Sequence, residues 1–571
     1  MKQPFYFDGA FGTYYNGLYH SEEPCEYANL QYPERVMAIH KAYIKVGVNA
    51  IKTNTFGVNS TLSDCDDTLC ELIRSGYRIA MQAVEGTDVR VFCDIGYIDG
   101  DRQEAEYLRN VDCFLQEGGK YFLFETLQEY EPLSAVISYL RKKAPNAVVM
   151  VSFSVSQDGY TQKGYFYENL LQRANKDADT VGLNCQCGPA HLYQLIQRID
   201  LTEFSSFSAM PNAGYPHSVN GRTVYSDNKE YYAQKLLSIA TLGVNVIGGC
   251  CGTTPDHLRP IIGKQISFAE NTVARKAPAV TARKNRLIEL FKSGKKVLAV
   301  EIDPPVDTDV AFFLQSASIL KHAGADVITV ADSPLARTRA DSIMLAAKLK
   351  REIGIEVLPH LSCRDKNYIA IRGMLLGGNI EQVNNILVVT GDPISRSEGG
   401  VFQFNSFTLM NLISNLNREV FLENPYTVCG ALNVNAQNFD AELQRAQKKI
   451  ASGTMVLLTQ PIFSSAAVLN FKRAKEMLDC YLMAGILPIA SWKNAMFLNN
   501  EVSGIEISAD FIAMLQKMSA DEVQKASVVH SMQMIQAVFS MADGFYIMTP
   551  LKKVGYITDL LAEIKKYQED R

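Results

Sequence analysis

The 571-residue sequence contains no run of about 18 consecutive apolar residues, so no segment has the length and composition of a membrane-spanning helix. Charge of one sign is missing as well. The 56 basic and 61 acidic residues leave a net charge of −5, which gives no reason to expect nucleic acid or an anionic membrane as a partner. No G-x-G-x-x-G string follows a strand and opens a helix, which argues against a Rossmann cofactor domain. Met1-Lys2-Gln3-Pro4 leads straight into a strand instead of a signal peptide, so a cytoplasmic location is expected. The twelve cysteines, nine of them before residue 260, show no regular secreted-framework spacing and are expected as thiols and metal ligands, not disulfides.

What is present is a chain of soluble, globular composition, 47% hydrophobic and 20% charged, too long for one core and suited to two large domains. Short apolar runs alternate with helical patterns: Phe5-Tyr6-Phe7, Ala50-Ile51-Lys52, Val89 to Phe92, Tyr121 to Phe124, Val148 to Val151, Thr180 to Leu183, Ser206 to Ala209 and Asn245-Val246-Ile247. Eight strands alternating with helices predict a closed parallel β/α barrel, whose chemistry belongs at the strand C-termini. The polar residues Asp8, Asn54, Asp94, Glu125, Ser154, Cys185, Asn212, Cys250 and Cys251 fall at those ends.

The most distinctive stretch is Gly248-Gly249-Cys250-Cys251-Gly252-Thr253-Thr254-Pro255. Adjacent cysteines rarely bridge each other, because a disulfide needs Cα and Cβ positions that consecutive residues hardly supply. The flanking glycines let both sulfurs face one centre. Cys185, past another short strand, offers a third thiolate, and three thiolates with an open fourth position suit a catalytic zinc; ordinary buried thiols are the other reading. Glu125 ends an apolar run and needs a cation or donor, met by a structural ion pair or by substrate.

The segment from Asn271 to Lys296 is polar and Pro-interrupted, with a short amphipathic helix from Asn285 to Lys292, and reads as a linker. A second set of eight runs follows: Val297 to Val300, Asp326 to Thr329, Glu356 to Pro359, Ile386 to Val389, Tyr426 to Cys429, Met455 to Leu458, Ile486 to Ile489 and Phe545 to Met548. Here Glu301, Asp332, His360, Asp392, Asn433, Gln460 and Thr549 fall at strand ends. The predicted fold is α/β, two tandem (β/α)8 TIM barrels, with domains 1–270 and 297–571 joined by residues 271–296.

Asp8-Gly9-Ala10-Phe11-Gly12-Thr13, Thr53-Asn54-Thr55-Phe56-Gly57, Gly182-Leu183-Asn184-Cys185 and the Cys-Cys string make the first half resemble the homocysteine S-methyltransferase family. The resemblance implies Zn2+ on Cys185, Cys250 and Cys251. It also implies that Glu125 holds the amino group of homocysteine and that Asp8 and Thr55 border the amino-acid pocket. Cys187 departs from the simplest motif, as a spare thiol or a competing ligand.

Val300-Glu301-Ile302-Asp303-Pro304-Pro305, His360 to Asp365, Val389-Thr390-Gly391-Asp392-Pro393, Leu458-Thr459-Gln460-Pro461 and Gly485 to Pro488 make the second half resemble methylenetetrahydrofolate reductase. This implies FAD, with NAD(P)H as electron donor. Glu301 is then the acid that opens the methylenetetrahydrofolate ring, Asp392 lies near flavin and pterin, and Gln460 hydrogen-bonds folate and reductant in turn. Thr329, His360 and Lys449 match flavin contacts, although a Lys in Gln447-Lys448-Lys449 also suits a solvated helix face and His360 a hydrogen-bonded core. The arginine that some members carry before the Gly-Asp pair is Thr390 here.

Together the halves resemble a fusion that makes methyltetrahydrofolate in the second barrel and methylates homocysteine in the first. The methyl donor stays open between methyltetrahydrofolate and a sulfonium or betaine compound. Another reading makes the second barrel a docking module for a redox protein. No D-x-H-x-x-G string surrounds any of the eight histidines, so a corrinoid would come on a separate protein. A homo-oligomer is expected.

Overall fold

A computed structural model describes residues 3–569 apart from 22, 101, 220–221, 227, 267–281, 393–399, 502–504 and 506. The chain divides into two compact units, residues 1–279 and 280–571. The first carries strands β1 (Phe5–Tyr6), β2 (Ala50–Lys52), β3 (Arg90–Ile95), β4 (Tyr121–Leu127), β5 (Val148–Phe153), β6 (Thr180–Asn184), β7 (Phe207–Met210) and β8 (Val246–Ile247). They run parallel in the order β1-β8-β7-β6-β5-β4-β3-β2, and a parallel bridge from Phe7 to Ala50 closes the ring. Because crossover helices cover a parallel sheet, its strands are apolar almost throughout. Phe7, Ala50, Phe92, Leu123, Met150, Met210 and Val246 form one buried cluster of the barrel.

The second unit carries β9 (Val297–Ile302), β10 (Val327–Val330), β11 (Glu356–Ser362), β12 (Asn385–Val389), β13 (Thr427–Leu432), β14 (Val456–Pro461), β15 (Tyr481–Ile486) and β16 (Gly544–Met548), a closed barrel in sequential order. Among its packed residues are Ala299, Leu358, Leu387, Cys429, Leu458, Met483 and Tyr546. The helix Arg286–Lys292 adds Leu287, Ile288 and Phe291 to the same cluster, with Phe291 stacked on Tyr481 at 4.6 Å. Asn285 accepts from the Ile288 amide at 3.1 Å and donates to Asn385 Oδ1 at 2.9 Å, which ties the helix to a strand start. Part of the expected linker, residues 271–281, lies outside the described residues; the helix that ends it packs on the second barrel.

Two expectations need correction. The seventh strand of the second barrel is Tyr481–Ile486, which ends where the expected run from Ile486 to Ile489 begins. Cys70 and Cys113 are joined as a disulfide: the helices Asp66–Ala83 and Gln103–Gln116 pack side by side and bring the two Cα atoms to 5.8 Å. Their separation of 43 residues carried no signal of that pairing.

Candidate active sites

Asp8, Lys52, Asp94 and Glu125 stand at the C-terminal ends of four successive strands, β1 to β4, and all four are buried. Glu125 Oε1 lies 3.6 Å from Lys52 Nζ, the two side chains 4% and 5% exposed, so this ion pair is cut off from water. Glu125 Oε2 accepts from Asn184 Nδ2 at 2.9 Å, and Asp8 Oδ2 accepts from the Lys52 backbone N–H at 2.9 Å. Asp8 Oδ1 and Asp94 Oδ1 are buried with no hydrogen-bond partner among the described residues. Thr55 is turned inward, donating to the Asp94 carbonyl at 2.7 Å, so it braces the β3 end.

Burial pushes Asp8 up to about 7, against the pull of Lys52. It also raises Glu125, and it raises Asp94 with Glu125 adding to the effect. For Lys52, burial works to remove the proton, but Glu125, Asp8 and Asp94 outweigh it and hold the ammonium charged. Lys52 went unremarked in the sequence. Its signal was a cation closing an apolar strand, the same position that marks the other site residues.

On the opposite arc of the first barrel, the Cys185, Cys250 and Cys251 sulfurs all lie within 4.8 Å of one another, with 3.8 Å between Cys185 and Cys251. Backbone hydrogen bonds from Cys185 to Met210 and from Cys250 to Pro211 fix these strand ends. Cys185 and Gln186 adopt left-handed φ of 57° and 52°, a conformation that costs non-glycine residues free energy and recurs at functional sites. After the thiol pair the chain turns at Gly252, φ +80°, where a Cβ would stand 2.2 Å from the Tyr225 ring. Hydrogen bonds from Cys185 and Cys250 lower the Cys251 thiol, while hydrogen bonds with Cys250 and Cys251 raise Cys185. Tyr225, overlooked in the sequence, lies close enough for burial and then the thiol charges to raise its hydroxyl. Cys187 points away, donating to the Val155 carbonyl at 3.1 Å, and is outside the group of three thiols. Asn184 joins the two clusters: its Nδ2 contacts Glu125 and lies 3.9 Å from Cys250 Sγ.

The mouth of the second barrel holds a cavity of about 410 Å³, a volume within the range of small-molecule and cofactor sites. Glu301, His360, Asp392, Lys449, Gln460 and Tyr546 line it. Thr329 is fully buried beneath and is not part of the lining. Burial raises Glu301 to about 7, although the hydrogen bond from Tyr546 works the other way. Tyr546 Oη donates to Glu301 Oε2, and Thr549 Oγ1 donates to the Glu301 carbonyl at 2.6 Å. His360 Nε2 lies 3.5 Å from Glu301 Oε2, and burial lowers His360 to about 4, so the ring is neutral beside the carboxyl. Lys449 donates to the Ala431 carbonyl at 2.5 Å instead of lying on a solvated face, and burial lowers its pKa. Asp392 Oδ2 accepts from the Leu335 amide at 2.6 Å. Beneath Asp392, Arg364 is paired with Asp365 and donates to the Asp392 carbonyl at 3.3 Å.

The cysteine trio in one barrel and the carboxyl-lined cavity in the other make this a tandem-barrel chain whose two sites differ in chemistry. Residues 6–263 match the homocysteine S-methyltransferase family model and residues 286–565 the methylenetetrahydrofolate reductase model. The chain is a fusion of one domain from each of these enzyme families. It is 28% identical over 307 residues to methionine synthase of Mycobacterium leprae (strain TN), covering 48% of this chain and 25% of that protein. For methionine synthase of Mycobacterium tuberculosis (strain ATCC 25618 / H37Rv) the identity is 29% over 284 residues, covering 44% of this chain and 24% of that protein. The chain thus spans about a quarter of the length of the curated relatives it matches. Among solved structures, it is similar to the oxidized form of the homocysteine methyltransferase MmuM from Escherichia coli, at 17% identity and TM-score 0.38, covering 45% of this chain and 94% of that one. No helix among the described residues is long and apolar enough to cross a membrane.

Proposed function

We propose that the first barrel methylates the sulfur of homocysteine to give methionine and that the second reduces 5,10-methylenetetrahydrofolate to 5-methyltetrahydrofolate. The observation that carries the reading is the convergence of three thiols at one barrel mouth, beside a buried set of carboxylates. Three soft donors with no fourth protein ligand in the group fit a zinc ion that keeps a coordination position open. Zinc held by Cys185, Cys250 and Cys251 would keep a substrate thiol deprotonated near neutral pH. Glu125 is oriented by Lys52 and Asn184 and accepts from the substrate ammonium, with the unpartnered oxygens of Asp8 and Asp94 beside it.

In the second barrel, Glu301 delivers the ring-opening proton. Its carboxyl stays protonated up to about pH 7, the range in which a general acid works well. Tyr546 fixes Oε2, which leaves Oε1 to carry the proton. Lys449, His360 and Asp392, which line the cavity, would hold a flavin, and that group would supply hydride transfer from NAD(P)H. Gln460, at a bulge in β14, lines the same cavity and hydrogen-bonds folate and reductant in turn. A methyl group taken from methyltetrahydrofolate would need a corrinoid supplied by a separate protein, because no D-x-H-x-x-G string surrounds any histidine of this chain.

Metal and flavin analysis of the purified chain tests both sites. NAD(P)H oxidation with methylenetetrahydrofolate, and label transfer from methyltetrahydrofolate to homocysteine with and without a corrinoid protein, test the two reactions. A colourless, metal-free protein inactive in both assays would overturn the reading.

A further inference from the structure

The charged cluster at the ends of β1 to β4 is incompletely satisfied. Lys52 carries an ammonium that is almost wholly buried, yet its nearest described partner is a Glu125 oxygen at 3.6 Å, beyond a good hydrogen bond. Asp8 Oδ1 and Asp94 Oδ1 are buried and unpartnered. A buried polar group left without a hydrogen bond is costly, and buried polar networks stabilise only when their members are satisfied. Carboxylate oxygens and an ammonium with open valences, side by side, are what a zwitterion completes. The amino group of an α-amino acid answers the carboxylates, and its carboxylate needs a cation, of which Lys52 is the one at these four strand ends.

We propose that Lys52 is the counter-ion of the substrate α-carboxylate, so that Lys52, Glu125 and the two charged groups of the amino acid form an alternating square. This rests on the reading of the first barrel as an amino-acid thiol site. The placement suits a γ-thiol amino acid, because Asn184 Nδ2 contacts both Glu125 and Cys250 Sγ and so sets the charged cluster one side chain away from the thiols. The square also completes the buried lysine: its Glu125 contact is long at 3.6 Å, and with ligand each charge of the square has two neighbours of opposite sign. Lys52 then decides between amino acids and simple amines.

Calorimetric titration of the full-length, metal-loaded protein with homocysteine and with 3-mercaptopropylamine, which lacks only the carboxylate, tests this. The unchanged protein should bind homocysteine at least about 10-fold more tightly than the amine, the scale of one charge-assisted hydrogen bond. Equal binding of the two ligands would overturn the proposal without any variant. Lys52→Met should weaken homocysteine roughly 10- to 100-fold more than it weakens the amine, collapsing the preference. An equal loss for both ligands would make Lys52 a support for Glu125 alone and overturn the carboxylate role. Lys52→Arg, which keeps the charge, should retain part of the preference even if Lys52→Met does not fold. If the unchanged protein bound neither ligand, the amino-acid reading of the barrel would fall, and this proposal with it.

Discussion

Tyr546, on the last strand of the second barrel, donates its hydroxyl to Oε2 of Glu301, on the first, across the seam where β16 returns to β9. The phenol stabilises the ionised carboxyl, while burial destabilises it more, and the balance leaves Glu301 near neutrality at about 7. Burial therefore places the titration, and the Tyr546 hydrogen bond holds it lower than burial alone would.

The pH dependence follows from that balance. Below about 7 the folded chain keeps the Glu301 proton, so flavin reoxidation by methylenetetrahydrofolate should be full there and fall as pH rises through that value. An unfolded carboxyl loses its proton near 4.5, so the stability contributed by Glu301 should also fall as pH rises from 4.5 to about 7. Tyr546→Phe removes the opposing hydrogen bond and should move the midpoint of the rate profile upward. Stopped-flow profiles of both proteins check it; an unmoved midpoint would assign the titration to another group.

Replacing the acid should separate the two half-reactions. Reduction of flavin by NAD(P)H delivers no proton to folate, so Glu301→Gln should leave it nearly intact. Reoxidation by methylenetetrahydrofolate should slow by about 10²–10⁴-fold, as expected for loss of a general acid. Flavin absorbance follows both steps in one sample, and equal slowing would make Glu301 a packing residue.

The thiols should act as one unit. Changing Cys185, Cys250 or Cys251 singly to Ser should lower zinc content and abolish methyl transfer, with flavin content unchanged because the second site lies in a separate unit. Cys187→Ser should retain zinc, since its sulfur faces Val155. Elemental analysis of the four variants decides the ligand set.

Glu125→Gln keeps the shape, the Asn184 contact through its carbonyl, and removes the charge. Homocysteine KM should rise through loss of a charge-assisted hydrogen bond of about 1.5–3 kcal/mol. Because Lys52 would then be a buried cation with one partner fewer, the melting temperature should fall as well. A fall in melting temperature with unchanged KM would leave Glu125 only its ion pair.

The sequence by itself determined the two barrels and the ends at which their chemistry sits. Apolar runs and the polar residues that stop them are local patterns, and Cys185, Cys250, Glu301 and His360 stand where those patterns end. It misjudged the seventh strand of the second barrel because two apolar runs, Tyr481–Ile486 and Ile486 to Ile489, adjoin there and hydrophobicity alone does not say which one pairs. Partners were decided only by the tertiary structure. Lys52 and Glu125 belong to strands either side of β3, brought together by lateral strand pairing, and Glu301 and Tyr546 to the first and last strands of their barrel, brought together by its closure. The fold likewise sets Cys187 against Val155 and Cys185, two residues earlier, beside Cys251. A chain read residue by residue carries the identity of these groups, but the charge and proton each one holds depend on burial and on neighbours that only the folded barrel supplies.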